Sequence, residues 1–122
     1  MKKARSKNMN LVSHHLINGF GGMGEGMSIQ VTRDSRRIMW MAHVSAPKNF
    51  SAVDVTDIKN PKLICQTELP HQSVRSNSLE VCGDTMAVAY QTNKLGEQPA
   101  GIEMFDISVP DEPKSIGFFD TS

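Results

Sequence analysis

The sequence has none of the features that mark a membrane protein, a disulfide-stapled mini-protein or a nucleic-acid-binding protein. No apolar run approaches the ~18 residues that a membrane span needs, and there are only 2 cysteines. Positive charge is not in excess, because 13 Lys and Arg residues balance 13 Asp and Glu residues. Since nucleic-acid binding leaves a strongly basic footprint, the sequence predicts no membrane span and no nucleic-acid partner.

Targeting signals are also missing. Residues 1–10 are basic but are not followed by the apolar core of a secretory signal, so they predict a flexible basic tail. A cytoplasmic location is the default expectation. Cys65 and Cys82 each stand among apolar neighbours, where a free thiol behaves as a small hydrophobic group. We expect two buried free thiols, and a disulfide is the alternative that an oxidising compartment would favour.

What is present is the composition of one globular domain, 122 residues long and 39% hydrophobic. Its clearest pattern is an internal repeat. The segment Ala52–Thr56 matches Met104–Ser108, and in both copies a proline stands 7 residues after the central aspartate, Asp54 or Asp106. Upstream, Met39–His43 likewise matches Met86–Tyr90. A period near 50 residues with short strands is typical of propeller blades.

Each copy of the repeat predicts four strands and no helix. In the first copy, Ile29 and Val31 alternate with polar residues, as in a half-buried strand. The other strands are predicted over Ile38–Val44, Phe50–Val55, Lys62–Thr67, Ser78–Cys82, Thr85–Gln91, Gly101–Asp106 and Lys114–Phe119. Asp54 and Asp106 are interpreted as turn residues that accept hydrogen bonds from backbone amides. The predicted organisation is a tail over 1–10, a His- and Gly-rich segment over 11–27, and blades over 28–69 and 70–122.

The segments around the two aspartates resemble the LVIVD repeat, in which an apolar strand ends in Asp and a polar stretch leads to a proline and another strand. The likeness rests on residues 50–61 and 101–113. That family is understood as β-propellers, many of them bacterial. The resemblance implies an all-β fold with two four-stranded antiparallel blades of an incomplete β-propeller, corresponding to the N-terminal part of a longer one.

Propellers close with typically four to eight blades, so the resemblance implies a binding or scaffold module without a complete active site in this chain. The implied partners are the remaining blades or further copies of the chain. Two blades leave apolar faces uncovered, and exposed apolar patches mark interaction sites. We therefore expect the isolated chain to be poorly soluble or to self-associate, with three copies completing six blades as one arrangement.

Five residues are candidates for a channel or ligand-binding site: His14, His15, Glu25, His71 and Arg75. They belong to two segments that precede the innermost strands of the blades, so the Gly19–Gly26 loop, His71 and Arg75 are predicted to share one mouth of the channel. Arg75 has the geometry to clamp an anionic group. A solvated channel mouth and hydrogen-bonded structural histidines are the plainer interpretation of the same residues.

The alternative function is the N-terminal part of a metal-assisted hydrolase or oxidoreductase. In that hypothesis His14, His71 and Glu25 hold a divalent transition metal, because imidazole suits such metals. No other cofactor is predicted. A formal glycine pattern in the segment 19–24 is followed by a strand and not by the helix that a dinucleotide site needs. Trp40, Phe50, Phe105, Phe118 and Phe119 are predicted to pack between blades.

Overall fold

A computed structural model of the chain describes residues 7–19 and 22–121. It confirms the predicted all-β architecture with two four-stranded antiparallel sheets, each ordered as the strands follow in the chain. Sheet 1 contains β1 (Met23–Val31), β2 (Arg37–His43), β3 (Lys48–Asp54) and β4 (Lys62–Glu68). Sheet 2 contains β5 (Val74–Cys82), β6 (Thr85–Thr92), β7 (Gly101–Asp106) and β8 (Lys114–Asp120). One short 3-10 turn, Ile17–Gly19, precedes them.

Among the described residues, no helix is long and apolar enough to cross a bilayer.

The first strand of each sheet begins earlier than predicted. Gly24 and Gly26, expected in a loop, lie in β1, and β5 begins at Val74 instead of Ser78. Both strands are extended by pairing with a neighbour across a bulge, with Met23 opposite His43 and Val74 opposite Thr92. The sequence did not predict these extensions because glycine and polar residues have low strand propensity. Residues 20 and 21 of the predicted loop, and 1–6 of the predicted tail, lie outside the described residues.

The turn aspartates behave as predicted. Asp54 Oδ1 accepts a hydrogen bond from the Thr56 amide at 2.9 Å, and Asp106 Oδ1 accepts one from the Ser108 amide at 2.9 Å. Hydrogen bonds from Ser108 lower the pKa of Asp106. Burial alone would raise the pKa of Asp54, but the hydrogen bonds from Thr56 and the charges of Arg36 and Lys62 together outweigh it and the pKa is lowered. Both carboxylates are structural turn acceptors.

The main core lies between the two sheets. Trp40 and Phe50 of sheet 1 form an edge contact with ring centroids 5.8 Å apart, and Phe50 meets Phe105 of sheet 2 at 5.2 Å. We call this side of sheet 1 its inner face; it comprises Ile38, Trp40, Ala42, Phe50 and Ala52, all fully buried. The opposing side of sheet 2 contributes Leu79, Met86, Val88, Tyr90 and Phe105. Packing between the two sheets is thus confirmed for three of the five predicted aromatics, Trp40, Phe50 and Phe105.

The outer face of sheet 1 is also covered. Met41 and Val53 are 1% and 2% exposed, and they pack with Ile17 of the N-terminal segment, residues 7–19. Strand β2 is therefore buried on both sides, as its nearly continuous apolar sequence predicted.

The surface of sheet 2 that faces away from sheet 1 is open. We call it the free face; register pairing places Ala89, Ile102 and Phe119 side by side on it, next to Ala87 and Met104. Ile102 is 41% exposed and Phe119 is 69% exposed. Phe119 lies on this free face, and Phe118, on the side that faces sheet 1, is 45% exposed, so neither ring is buried between the two sheets as predicted.

The cysteines differ from each other. Both are free thiols, but Cys65 is half-buried and Cys82 is exposed. The prediction of burial is wrong for Cys82, because it is the last residue of β5, beside the β5–β6 turn and on the side of sheet 2 that has no neighbour. Burial raises the pKa of Cys65.

Candidate functional site

The first strands of the two sheets, β1 and β5, run close together. Gly26 makes this possible, since a Cβ on it would lie 2.1 Å from the backbone nitrogen of Leu79. Two side-chain contacts join the same strands: Ser28 Oγ donates to Glu80 Oε1 at 3.1 Å, and Asn77 Nδ2 donates to Glu25 Oε2 at 3.4 Å. Glu25 is thus an exposed carboxylate at the junction of the sheets.

His71 holds a loop of its own sheet. Its Nε2 lies 2.6 Å from the carbonyl oxygen of Gln98, and its Nδ1 accepts from the Ser73 amide at 3.3 Å. With Nδ1 as the acceptor from the Ser73 amide, Nε2 is the nitrogen that donates to Gln98. Glu97 Oε2 lies 3.9 Å from Nδ1. The ring therefore connects the loop that precedes β7 to the start of β5, and its partners are Gln98 and Glu97, not Glu25.

Arg75 lies at a cleft between the sheets. Its Nε and Nη2 both donate to Gln91 Oε1, at 3.2 and 2.9 Å. The cleft has a volume of about 460 Å³, and its polar lining includes Ser45, Gln72 and Asn93. Arg75 lines it, but neither His71 nor the glycine-rich segment does so. Anion binding by Arg75 stays a prediction, with a positively charged polar cleft as its setting.

The adjacent histidines lie in the N-terminal segment, outside the sheets. Both are exposed, and His15 Nδ1 accepts from the Ile17 amide at 2.9 Å, which supports the short 3-10 turn. Within residues 7–19 and 22–121, no three His, Cys, Asp or Glu side chains are grouped closely enough to hold a metal ion. The structure therefore does not bring His14, His71 and Glu25 together as a set of metal ligands.

A buried polar ladder that sequence reasoning missed crosses sheet 1. His43 is fully buried; its Nδ1 lies 2.8 Å from the Gly22 carbonyl oxygen and its Nε2 lies 2.6 Å from Ser51 Oγ. Gln66 Nε2 also donates to Ser51 Oγ, at 2.9 Å. Burial lowers the pKa of His43, more than the hydrogen bond to Gly22 raises it. A neutral, enclosed histidine of this kind is a structural group.

Sheet 2 carries a matching ladder. Tyr90 OH donates to Glu103 Oε2 at 2.7 Å, and Ser115 Oγ donates to Glu103 Oε1 at 2.6 Å. By the repeat, Tyr90 corresponds to His43 and Glu103 to Ser51. This ladder faces sheet 1, where Asn49 Nδ2 donates to Tyr90 OH at 3.0 Å. The sequence signal for both ladders is a side chain with a polar end at the same position of the two repeats, His43 in the first and Tyr90 in the second.

Asn49 is another buried polar residue of sheet 1. The predicted third strand starts at Phe50, but Asn49 lies inside β3 and is 5% exposed. Its carbonyl oxygen accepts a short hydrogen bond from Ser76 Oγ of β5. Through these contacts Asn49 links the two sheets at the end of the core.

No family model matches the chain, and no curated protein matches it.

Proposed function

We propose that the chain is a β-propeller repeat unit, as the LVIVD resemblance implies, and that it works as a binding or scaffold module. The observation that carries the proposal is the free face of sheet 2. This face is the repeat counterpart of the inner face of sheet 1, the one that packs against a neighbouring sheet. Its proposed occupant is another sheet of the same kind.

The pairing of the strands supports this equivalence. In sheet 1, Ala42 lies opposite Phe50, and in sheet 2 the equivalent residue Ala89 lies opposite Ile102. Trp40 opposite Ala52 corresponds in the same way to Ala87 opposite Met104. Since side chains opposite each other share a face, the free face repeats the arrangement of a surface that is fully buried one sheet earlier.

The sense of the packing also supports it. Sheet 1 uses its inner face at the junction, whereas sheet 2 uses the side that corresponds to the outer face of sheet 1. Contacts between two different faces are head-to-tail, and such contacts continue until a ring closes or a filament grows. Head-to-tail packing on the free face would add a further sheet through its other face, and would not pair two identical free faces.

The test is the mass of the chain in solution, measured by sedimentation equilibrium over a range of concentrations. We expect the native chain to associate, and Ile102→Asp and Phe119→Asp to shift it towards 13.5 kDa. Val109→Asp is the matched control, because Val109 is 52% exposed but lies in the turn between β7 and β8. Its charge should leave the association unchanged.

Two outcomes would contradict the proposal. One is a stable 13.5 kDa monomer at high protein concentration, which would mean that the free face has no affinity for another sheet. The other is association that Val109→Asp weakens as much as the two substitutions on the free face do.

A further inference from the structure

A second pocket lies between the sheets, on the far side of the core from β1. It has a volume of about 440 Å³, within the ~300–1,000 Å³ of small-molecule sites. We call it the inter-sheet pocket. Its walls are apolar side chains and polar groups from both sheets, namely Asn49, Thr67, Glu68, Pro70, Tyr90, Pro99, Glu103, Phe105 and Phe118. None of these is among the residues that the sequence singled out for a site.

The polar side of the pocket holds acceptors without partners. Asn49 is about nineteen-twentieths buried, and its Oδ1 has no hydrogen-bond partner, because its amide nitrogen is the atom that meets Tyr90. Thr67 Oγ1 is buried and also lacks a partner. A buried acceptor left unsatisfied costs about 1–3 kcal/mol. Both residues line the pocket, and a donor bound there would satisfy these oxygens.

Glu103 adds a negative charge. Its two oxygens accept from Tyr90 and Ser115, and in the described part of the chain no cationic side chain lies within ion-pair distance of it. Glu68, by contrast, is neutralised by Lys48 Nζ at 2.6 Å. Burial, followed by the hydrogen bond to Glu103, raises the pKa of Tyr90, so the phenol stays a donor.

The remaining walls are apolar. Phe105 is largely buried, Phe118 is 45% exposed, and Pro70 and Pro99 close the sides. Aromatic faces attract cations as well as apolar groups. In sheet 1 the matching ladder is enclosed, because His43 Nε2 and Gln66 Nε2 both contact Ser51 Oγ. The ladder of Tyr90 and Glu103, at the junction between the sheets, lines a pocket instead.

We infer that the inter-sheet pocket binds a small organic ammonium ion with an apolar body. An ammonium group has three N–H donors and no acceptor, which matches Asn49 Oδ1, Thr67 Oγ1 and the Glu103 carboxylate. Its apolar body would lie against Phe118 and the prolines. The site is complete within one chain, so the inference goes beyond the scaffold function and does not depend on a further sheet.

The test is a saturation-transfer difference NMR titration of the full chain with the benzylammonium ion, compared with neutral benzyl alcohol. We expect saturable binding of benzylammonium, at least about tenfold tighter than that of benzyl alcohol. Glu103→Gln should weaken benzylammonium about tenfold and leave benzyl alcohol unchanged. Thr67→Val, which keeps the size of the side chain, should weaken benzylammonium by a smaller factor. Glu112→Gln, in the exposed turn before β8, is the control and should bind as the native chain does.

The inference is overturned if benzylammonium gives no saturable signal, since the pocket then holds water only. It is also overturned if benzyl alcohol binds as tightly, because the acceptors and the charge then contribute nothing. If Glu103→Gln fails to fold, the comparison of the two probes on the native chain and Thr67→Val still decide the question.

Discussion

The outer surfaces of the two sheets differ although the sheets share strand order and antiparallel pairing. On sheet 1, Met41 and Val53 are 1% and 2% exposed because the N-terminal segment lies over them. On sheet 2, Ile102 and Phe119 are 41% and 69% exposed. Apolar residues occur on both surfaces, so the amount of apolar sequence does not decide burial. The presence of a neighbour does.

The largest effect should come from the same substitution made on a covered and on an open face. Phe50→Ala removes a fully buried ring between the sheets, and we expect a loss of about 3–5 kcal/mol in the free energy of unfolding. Phe119→Ala should cost under ~0.5 kcal/mol in the monomer, since the ring is exposed. Urea denaturation at low protein concentration measures both. Equal losses would mean that Phe119 is covered in solution.

The next comparison concerns glycines in the two sheets. Gly26→Ala places a methyl group 2.1 Å from the Leu79 nitrogen, so β1 and β5 must separate. We expect a loss of about 3 kcal/mol, at the upper end for overpacking. Gly117→Ala in β8 is the matched control, because a Cβ there meets nothing within 4 Å. Thermal unfolding followed by circular dichroism gives both values, and equal stabilities would contradict close packing of β1 and β5.

The cover of sheet 1 can be tested through neighbouring residues. Ile17 is 9% exposed and packs on Met41 and Val53, whereas Leu16 is 68% exposed. We expect Ile17→Ala to cost about 2 kcal/mol, at the low end for a buried isoleucine, and Leu16→Ala under ~0.5 kcal/mol. Hydrogen exchange of the β2 and β3 amides should accelerate only in the Ile17 variant. Similar behaviour of the two variants would show that the segment does not protect sheet 1.

The matched ladders should differ in their response to pH. The lowered pKa of His43 means that the folded chain resists a proton that the unfolded chain takes up near pH 6.5. Stability from this group is therefore present above pH 6.5 and is lost as the pH falls towards the pKa of the folded state, by at most about 1.4 kcal/mol per pH unit. Tyr90, its counterpart, stays neutral throughout that range.

The measurement for the ladders is the free energy of unfolding between pH 5 and pH 8. His43→Gln should flatten the slope that the native chain has below pH 6.5, while His14→Gln, which changes an exposed histidine, should preserve it. An unchanged slope in the His43 variant would assign the pH dependence to other groups.

The smallest effect is expected where the sheets do not differ. Asp54→Ala and Asp106→Ala each remove a hydrogen bond of 2.9 Å from a turn amide, and Asp54→Ala also removes a 4.0 Å contact with Arg36, which as a partly exposed ion pair adds little. We expect a loss of about 1 kcal/mol from each, the usual net value of a hydrogen bond. A clear inequality, measured by urea denaturation, would show that one turn has a further role beyond the local structure.

Most of the fold could be predicted because its signals are local. Alternating and continuous apolar runs indicated the strands, and the repeated aspartates indicated the turns. The errors have a common cause. Gly24 and Gly26 have poor strand propensity, and they became strand residues only because β2 and β5 lie against them. Phe119 and Cys82 were expected to be buried by their sequence context, but no sheet covers that side of sheet 2.

The candidate site was less predictable than the fold. Sequence order placed Glu25 and His71 before equivalent strands, and this suggested a shared channel mouth. In the structure each side chain has nearer partners, Asn77 for Glu25 and Gln98 for His71. The inter-sheet pocket, in contrast, joins Asn49 to Glu103, which are far apart in the chain and carry no motif.

The sequence by itself determined the all-β class, the eight strands and the two matching turns, because strand pattern and turn chemistry act over a few residues. Only the tertiary structure decided which faces are covered, how closely β1 approaches β5, and where buried acceptors are left without donors. The reason is physical: burial and hydrogen-bond satisfaction are properties of two surfaces in contact, and a strand does not carry the identity of its neighbour in its own residues.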